Sequence, residues 1–108
     1  MIDTSQLEEL RMIMGAELPD LFRSFERDNQ RRFVELESAL ERADSEVLRR
    51  TAHTMKGGAL GVGASELAAQ FKAVEDCAKR GDLAAAAQLL PLARQSLLDT
   101  MAAFEAWL

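Results

Sequence analysis

The line Leu48, Ala52, Met55, Ala59, Val62 runs in alternating steps of four and three residues. An α-helix turns once in about 3.6 residues, so these five side chains fall on one face. A strand, with its period of two, would scatter them across both faces. A seam this narrow, alternating small and large residues, suits a helix packed against other helices in a bundle. The same period recurs upstream in Leu18, Leu21, Phe25, Phe33, Leu36 and Leu40, and downstream in Leu67, Phe71, Val74 and Ala78. The chain is therefore expected to be all-α.

The punctuation between these segments sets the topology. "DTSQLEELRMIMG" reads as a short helix, with Ser5 and Glu8 forming a capping box and Gly15 stopping it. Pro19 suits the first turn of a long second helix, which breaks at Ala43-Asp44. Asp44 or Ser45 caps the third helix and Gly63 ends it. Ser65 opens the fourth, Gly81 closes it, and Asp82 caps the last segment. Pro91 inside that segment predicts a kink or a break near Gln88. Short connections make consecutive helices antiparallel neighbours. The expectation is one domain over residues 1–108: an antiparallel up-down four-helix bundle, with the short N-terminal helix laid across one end. Phe22, Phe25 and Phe33 belong to its core or the margin of it.

Composition narrows the function. At 108 residues, 48% of them hydrophobic, the chain can build one modest core. A net charge of −5 argues against nucleic acid, because phosphate backbones call for a basic surface. "MIDTSQLEEL" is acidic and lacks the apolar run of a signal peptide. No window approaches the roughly 20 apolar residues of a membrane span. Cys77 is the sole cysteine and cannot form an internal disulfide. The chain reads as soluble and cytoplasmic. Its own Met1 and clean final helix favour a free-standing protein.

The chemistry concentrates in "RRTAHTMKGGALGVGASELA". His53, the only histidine, lies one residue past Ala52 and so sits on the flank of the seam, exposed. Arg49, Lys56, Gly57 and Leu60 share its face. Gly57 and Gly58 each cost roughly 1 kcal/mol relative to alanine inside a helix. Close approach of a neighbouring helix would explain Gly58 or Gly61. It does not explain Gly57, which points away from the seam. A gap beside an exposed imidazole lets another macromolecule reach the ring, and a cation three residues on can hold an anion attached to it. A metal centre would need more ligands than one His and one Cys. Haem ligation by His53 with Met55 fails because the two diverge by two helical steps. Nucleophilic hydrolysis lacks a second histidine or a nucleophile elbow.

"AHTMKGGALGVGASELA" resembles the signature of histidine-containing phosphotransfer (HPt) domains, roughly A-H-x-L-K-G-x-[SA]-x-x-x-G-[AV]-x-x-L. The match runs through Ala52, His53, Lys56, Gly57, Ala59, Gly63, Ala64 and Leu67. Met55 stands where Leu is usual, and Gly58 and Gly61 depart from the residues common at their positions. The later "AVEDCAKRGDL" is similar too, since a carboxylate or amide commonly follows the family's histidine by about this interval.

The resemblance implies that His53 accepts a phosphoryl group from a receiver-domain aspartate and passes it to a response regulator. Lys56 would neutralise the phosphoryl oxygens and Gly57 would give the receiver clearance. Glu75, on the next helix, would accept from Nδ1–H and fix the imidazole tautomer; Gln70 is a weaker substitute. The alternative for Glu75 is a surface pair with Lys72 or Lys79. Arg49 would add positive potential, or simply be solvated. An apolar patch around Leu60 and the second helix would be the docking area. No cofactor is implied, Mg²⁺ belonging to the receiver. With no P-loop or kinase glycine-rich loop, the chain reads as a phosphoryl carrier without kinase activity of its own. Its expected partners are receiver domains of hybrid sensor kinases and response regulators, and it is expected to be monomeric. Three other readings stay open: the phosphoacceptor domain of a chemotaxis-type histidine kinase, the dimerisation domain of a sensor kinase, and a non-catalytic helical interaction module.

Overall fold

The computed structural model describes residues 2–108, which form five α-helices: α1 Thr4–Met14, α2 Leu18–Glu41, α3 Ser45–Gly61, α4 Ser65–Lys79 and α5 Leu83–Trp107. A single 3₁₀ turn, Gly15–Glu17, joins α1 to α2. No helix among the described residues is long and apolar enough to cross a membrane. Helices α2 to α5 form the up-down bundle, drawn out to 42 × 19 × 19 Å.

The helix boundaries follow from local chemistry. After α3, Gly63 takes φ +74° while Ala64 N–H returns to Ala59 O at 2.9 Å and Gly63 N–H to Leu60 O at 3.2 Å. The same double closure ends α4 at Gly81 (φ +71°) and α2 at Ala43, a non-glycine held at φ +54°. At the start of α3 and α5 the carboxylates of Asp44 and Asp82 accept from Val47 N–H and Ala85 N–H, both at 3.1 Å. At α1 the cap is Asp3, not the Ser5–Glu8 box: its Oδ1 accepts from Ser5 and Gln6 N–H at 3.1 and 3.2 Å. A carboxylate two residues upstream completes the turn first and draws Ser5 into the helix.

The seam of α3 is buried throughout, as are Leu67, Phe71, Val74 and Ala78 of α4 and Phe22, Phe25 and Phe33 of α2. Phe22 stacks on Phe104 at 4.1 Å between centroids, and Phe33 packs against Phe71 at 5.8 Å. Pro91 does not break α5, which runs through it from Leu83 to Trp107. The proline and Ala87, whose carbonyl loses its donor, both lie on the exposed face, so water can take the lost bond. Ala86, Leu90, Ala93 and Leu97 meanwhile hold both halves to the core.

With 24 and 25 residues, α2 and α5 outrun α3 and α4, which have 17 and 15. Helix α1 lies across the end where the shorter pair stops. Its Leu7 is fully buried, Gln6 Nε2 donates to Leu60 O at 2.6 Å, and Asp3 N–H donates to Gly63 O at 2.7 Å. At its far end the Arg11 guanidinium sits 3.9 Å over the Trp107 ring.

Candidate functional site

Because α3 and α4 are antiparallel and joined by a tight turn, the middle of one faces the far half of the other. His53 lies on the α4 flank of α3, and its side chain is 61% exposed. Glu75 lies on the α3 flank of α4, one residue past the core position Val74, and its side chain is only 3% exposed. The imidazole Nδ1 stands 2.8 Å from Glu75 Oε2, and Lys56 Nζ donates to Glu75 Oε1 at 2.9 Å. One buried carboxylate thus accepts from two groups of α3, one on each oxygen.

The charge balance explains why a carboxylate tolerates this position. Burial alone pushes the Glu75 carboxyl up, but the hydrogen bonds from Lys56 and His53 and the charge of Lys56 outweigh it, holding the carboxyl below its ordinary value. An ionised carboxylate only accepts, so the bridging proton resides on Nδ1. With that proton on Nδ1, the lone pair available for chemistry is the one on Nε2, on the solvent side.

Of the two readings of Glu75, the structure selects contact with His53. Of the alternative pairs, Lys72 turns instead to Asp76 at 2.9 Å, while Lys79 keeps a long contact with Glu75 Oε2, at 3.8 Å, on a carboxylate that is buried rather than at the surface. Gln70 does not substitute, because five residues of helix carry it about 140° round α4 from Glu75; its Oε1 is buried without a partner. Arg49 is drawn onto Glu46 through two bonds of 3.2 and 2.7 Å and projects no free charge at the ring. Lys56 does share the His53 face, but it is bound to Glu75 rather than reaching into solvent.

The glycines correct one expectation. A Cβ built on Gly57, Gly58 or Gly61 meets nothing within 4 Å, so no neighbouring helix presses on any of them. The glycine under close approach is Gly63, whose Cβ would stand 3.1 Å from Asp3 O. Beyond His53 the outer face of α3 therefore shows bare backbone to solvent at these three glycines. The apolar surface beside it is a shallow groove shared with α4 rather than α2, lined by Lys56, Leu60, Ser65, Ala68, Ala69 and Lys72.

Among the described residues no group of three or more His, Cys, Asp and Glu side chains converges as a metal site. What remains is an exposed nitrogen nucleophile with a fixed tautomer, flanked by lysines and open to a large partner. That arrangement suits transfer of a phosphoryl group, which depends mostly on positioning and charge.

Comparison with known proteins agrees. In the crystal structure of histidine-containing phosphotransfer protein B (HptB) from Pseudomonas aeruginosa PAO1, the fold matches with a TM-score of 0.91 at 33% sequence identity, over 97% of this chain and 91% of that one. A comparison with curated protein sequences gave no match. The family model of the Hpt domain matches residues 20–107, and the chain accordingly belongs to the histidine-containing phosphotransfer family.

Proposed function

We propose that His53 is the phosphoacceptor of this Hpt protein, loaded by the aspartyl phosphate of a receiver domain and discharged to the aspartate of another. The observation that carries the reading is the pairing of an exposed imidazole with a buried carboxylate at Nδ1, which directs the lone pair of Nε2 outward. In the transfer that lone pair forms the P–N bond as the P–O bond to the aspartyl carboxylate breaks, and the carboxylate leaves with those electrons. The ring, still protonated at Nδ1, gains a positive charge beside Glu75, the orienting role carboxylates play at catalytic imidazoles. Lys56 keeps Glu75 ionised and adds positive potential, and Arg49 adds a more distant, paired charge. Gly57 leaves room for the receiver's loops. Mg²⁺ would come with the receiver. In this reading the chain acts as a monomer and carries the phosphoryl group without kinase activity of its own, in keeping with a sequence that holds no P-loop or kinase glycine-rich loop.

The test is incubation with phosphorylated receiver domains. Label should enter the protein, survive base and be lost in acid, as a phosphoramidate is. His53→Gln should abolish uptake without disturbing the helical spectrum. Label that enters only from ATP with a kinase domain would assign the chain to the chemotaxis-type kinases instead. Label retained by the Gln variant would overturn the assignment to His53.

A further inference from the structure

Resting on that reading, we infer that Lys79, which the family signature does not mark, is the cation that binds the phosphoryl group once it is on His53.

Three of the cations on α3 and α4 are held by short bonds. Lys56 is 2.9 Å from Glu75, Lys72 is 2.9 Å from Asp76, and Arg49 is 2.7 Å from Glu46. Lys79 has nothing closer than 3.8 Å, and its side chain is 54% exposed; Arg50 is as loosely held, 3.8 Å from Glu46, but it is Lys79 that lies against the Glu75 carboxylate holding the imidazole. Lys79 stands 3.8 Å from Glu75 Oε2, the oxygen that already accepts from His53 Nδ1. That carboxylate is served at its other oxygen by Lys56. Lys79 therefore leans on a charge that two closer groups have largely satisfied. A pair this long, on an oxygen already hydrogen-bonded, is weak.

Lys56 lies three residues after His53 on α3, and Lys79 lies four residues after Glu75 on α4. Because the helices run in opposite directions, the two ammonium groups bracket the imidazole from its two ends. Transfer places a phosphoryl group of up to two negative charges at Nε2, on the solvent side where Lys79 is free to swing. A dianion with three strong acceptor oxygens is a better partner than a shared carboxylate. Lys79 then moves from Glu75 to the phosphoryl oxygens while Lys56 stays to hold Glu75 ionised. The two lysines divide the work: Lys56 sets the ring before transfer, and Lys79 holds the product after it.

The test compares Lys79→Gln, Lys79→Arg and Lys56→Gln in the full chain, loaded from a phosphorylated receiver and, separately, from phosphoramidate, whose P–N bond breaks as ammonia leaves. Lys79→Gln should lower the phosphohistidine level at equilibrium with the receiver by about threefold to tenfold. Lys79→Arg should restore it. The ¹⁵N shifts of the unphosphorylated His53 ring should stay unchanged in Lys79→Gln and move in Lys56→Gln, which a merely structural role for Lys79 would not produce. Wild-type protein that loads normally while Lys79→Gln loads equally well refutes the inference. So does a Lys79→Gln variant whose unphosphorylated ring shifts move as they do in Lys56→Gln. Wild-type protein that takes label from neither donor refutes the phosphoacceptor reading itself.

Discussion

Replacing Gly57 and Gly58 by alanine should make the protein more stable and less able to exchange phosphate. Both residues lie inside α3 with helical backbone, both are exposed, and neither has a positive φ. A Cβ at either meets no atom within 4 Å. Nothing in the folded chain therefore opposes the change, and the intrinsic preference acts alone. Glycine costs about 1 kcal/mol relative to alanine in a helix interior, chiefly through the freedom it keeps when unfolded. The double variant should gain about 2 kcal/mol, or on the order of 10 °C in Tm for a domain of this size. Gly61, the last residue of α3, should gain less because its turn is already half released.

Urea and thermal unfolding followed by far-UV circular dichroism measure the first half of the claim, and transfer from a phosphorylated receiver the second. Gly57 shares the His53 face, so a methyl group there should slow transfer more than one at Gly58, which turns toward the α2 side. A single Gly57→Ala variant that loses stability would show that the face is not open. One that gains stability and still exchanges phosphate at the wild-type rate would show that no partner needs the clearance, and the glycine would have no account in this structure.

Two further outcomes follow from the same geometry. Gly63→Ala should do the reverse of Gly57→Ala and cost about 1–3 kcal/mol in urea unfolding, because φ is +74° and the new Cβ would stand 3.1 Å from Asp3 O. The Glu75 carboxyl is held below its ordinary value of 4.5, burial pushing it up but the bonds from Lys56 and His53 outweighing that, so the folded state prefers it ionised. Its contribution to stability is then complete above the unfolded value and drains away as pH falls through the lower folded one. Urea unfolding across the acid range should show that loss in wild type and a shallower one in Glu75→Gln; identical slopes would contradict the depressed value.

The elements that were legible in the sequence are those set by short-range patterns. The α3 seam, the Asp44 and Asp82 caps and the turns at Gly63 and Gly81 each depend on a few neighbouring residues, and each forms as read. The α1 cap was misread because three residues able to cap, Asp3, Thr4 and Ser5, stand in a row. The local rule cannot rank them without the tertiary bond from Asp3 N–H to Gly63 O. Pro91 illustrates the opposite case, a strong local penalty overridden because its helix packs on both sides of it. At the site, angular reasoning placed Glu75 toward α3. That it would be buried, and would take Lys56 as well as His53, depends on the meeting of two helices and had no local signal. Lys79 was visible only as an ordinary partner four residues along. Its significance rests on the two closer bonds to Glu75, from His53 and Lys56, that leave it loose.

The bare face of α3 also gives α1 a purpose in the site. Three glycines in the last five residues of that helix weaken it close beyond His53. An end so composed would fray, and fraying would loosen the groove beside His53. Asp3 and Gln6 bind the carbonyls of Gly63 and Leu60, one at the turn and one in the last turn of the helix. Asp3 caps α1 with its side chain in the same arrangement, and its backbone is what leaves no room for a side chain at residue 63. The outer face of α3 can thus remain open to a partner because its C-terminal end is anchored from below. Helical propensity given up on the exposed side is offset by hydrogen bonds made at the end, where no receiver has to pass.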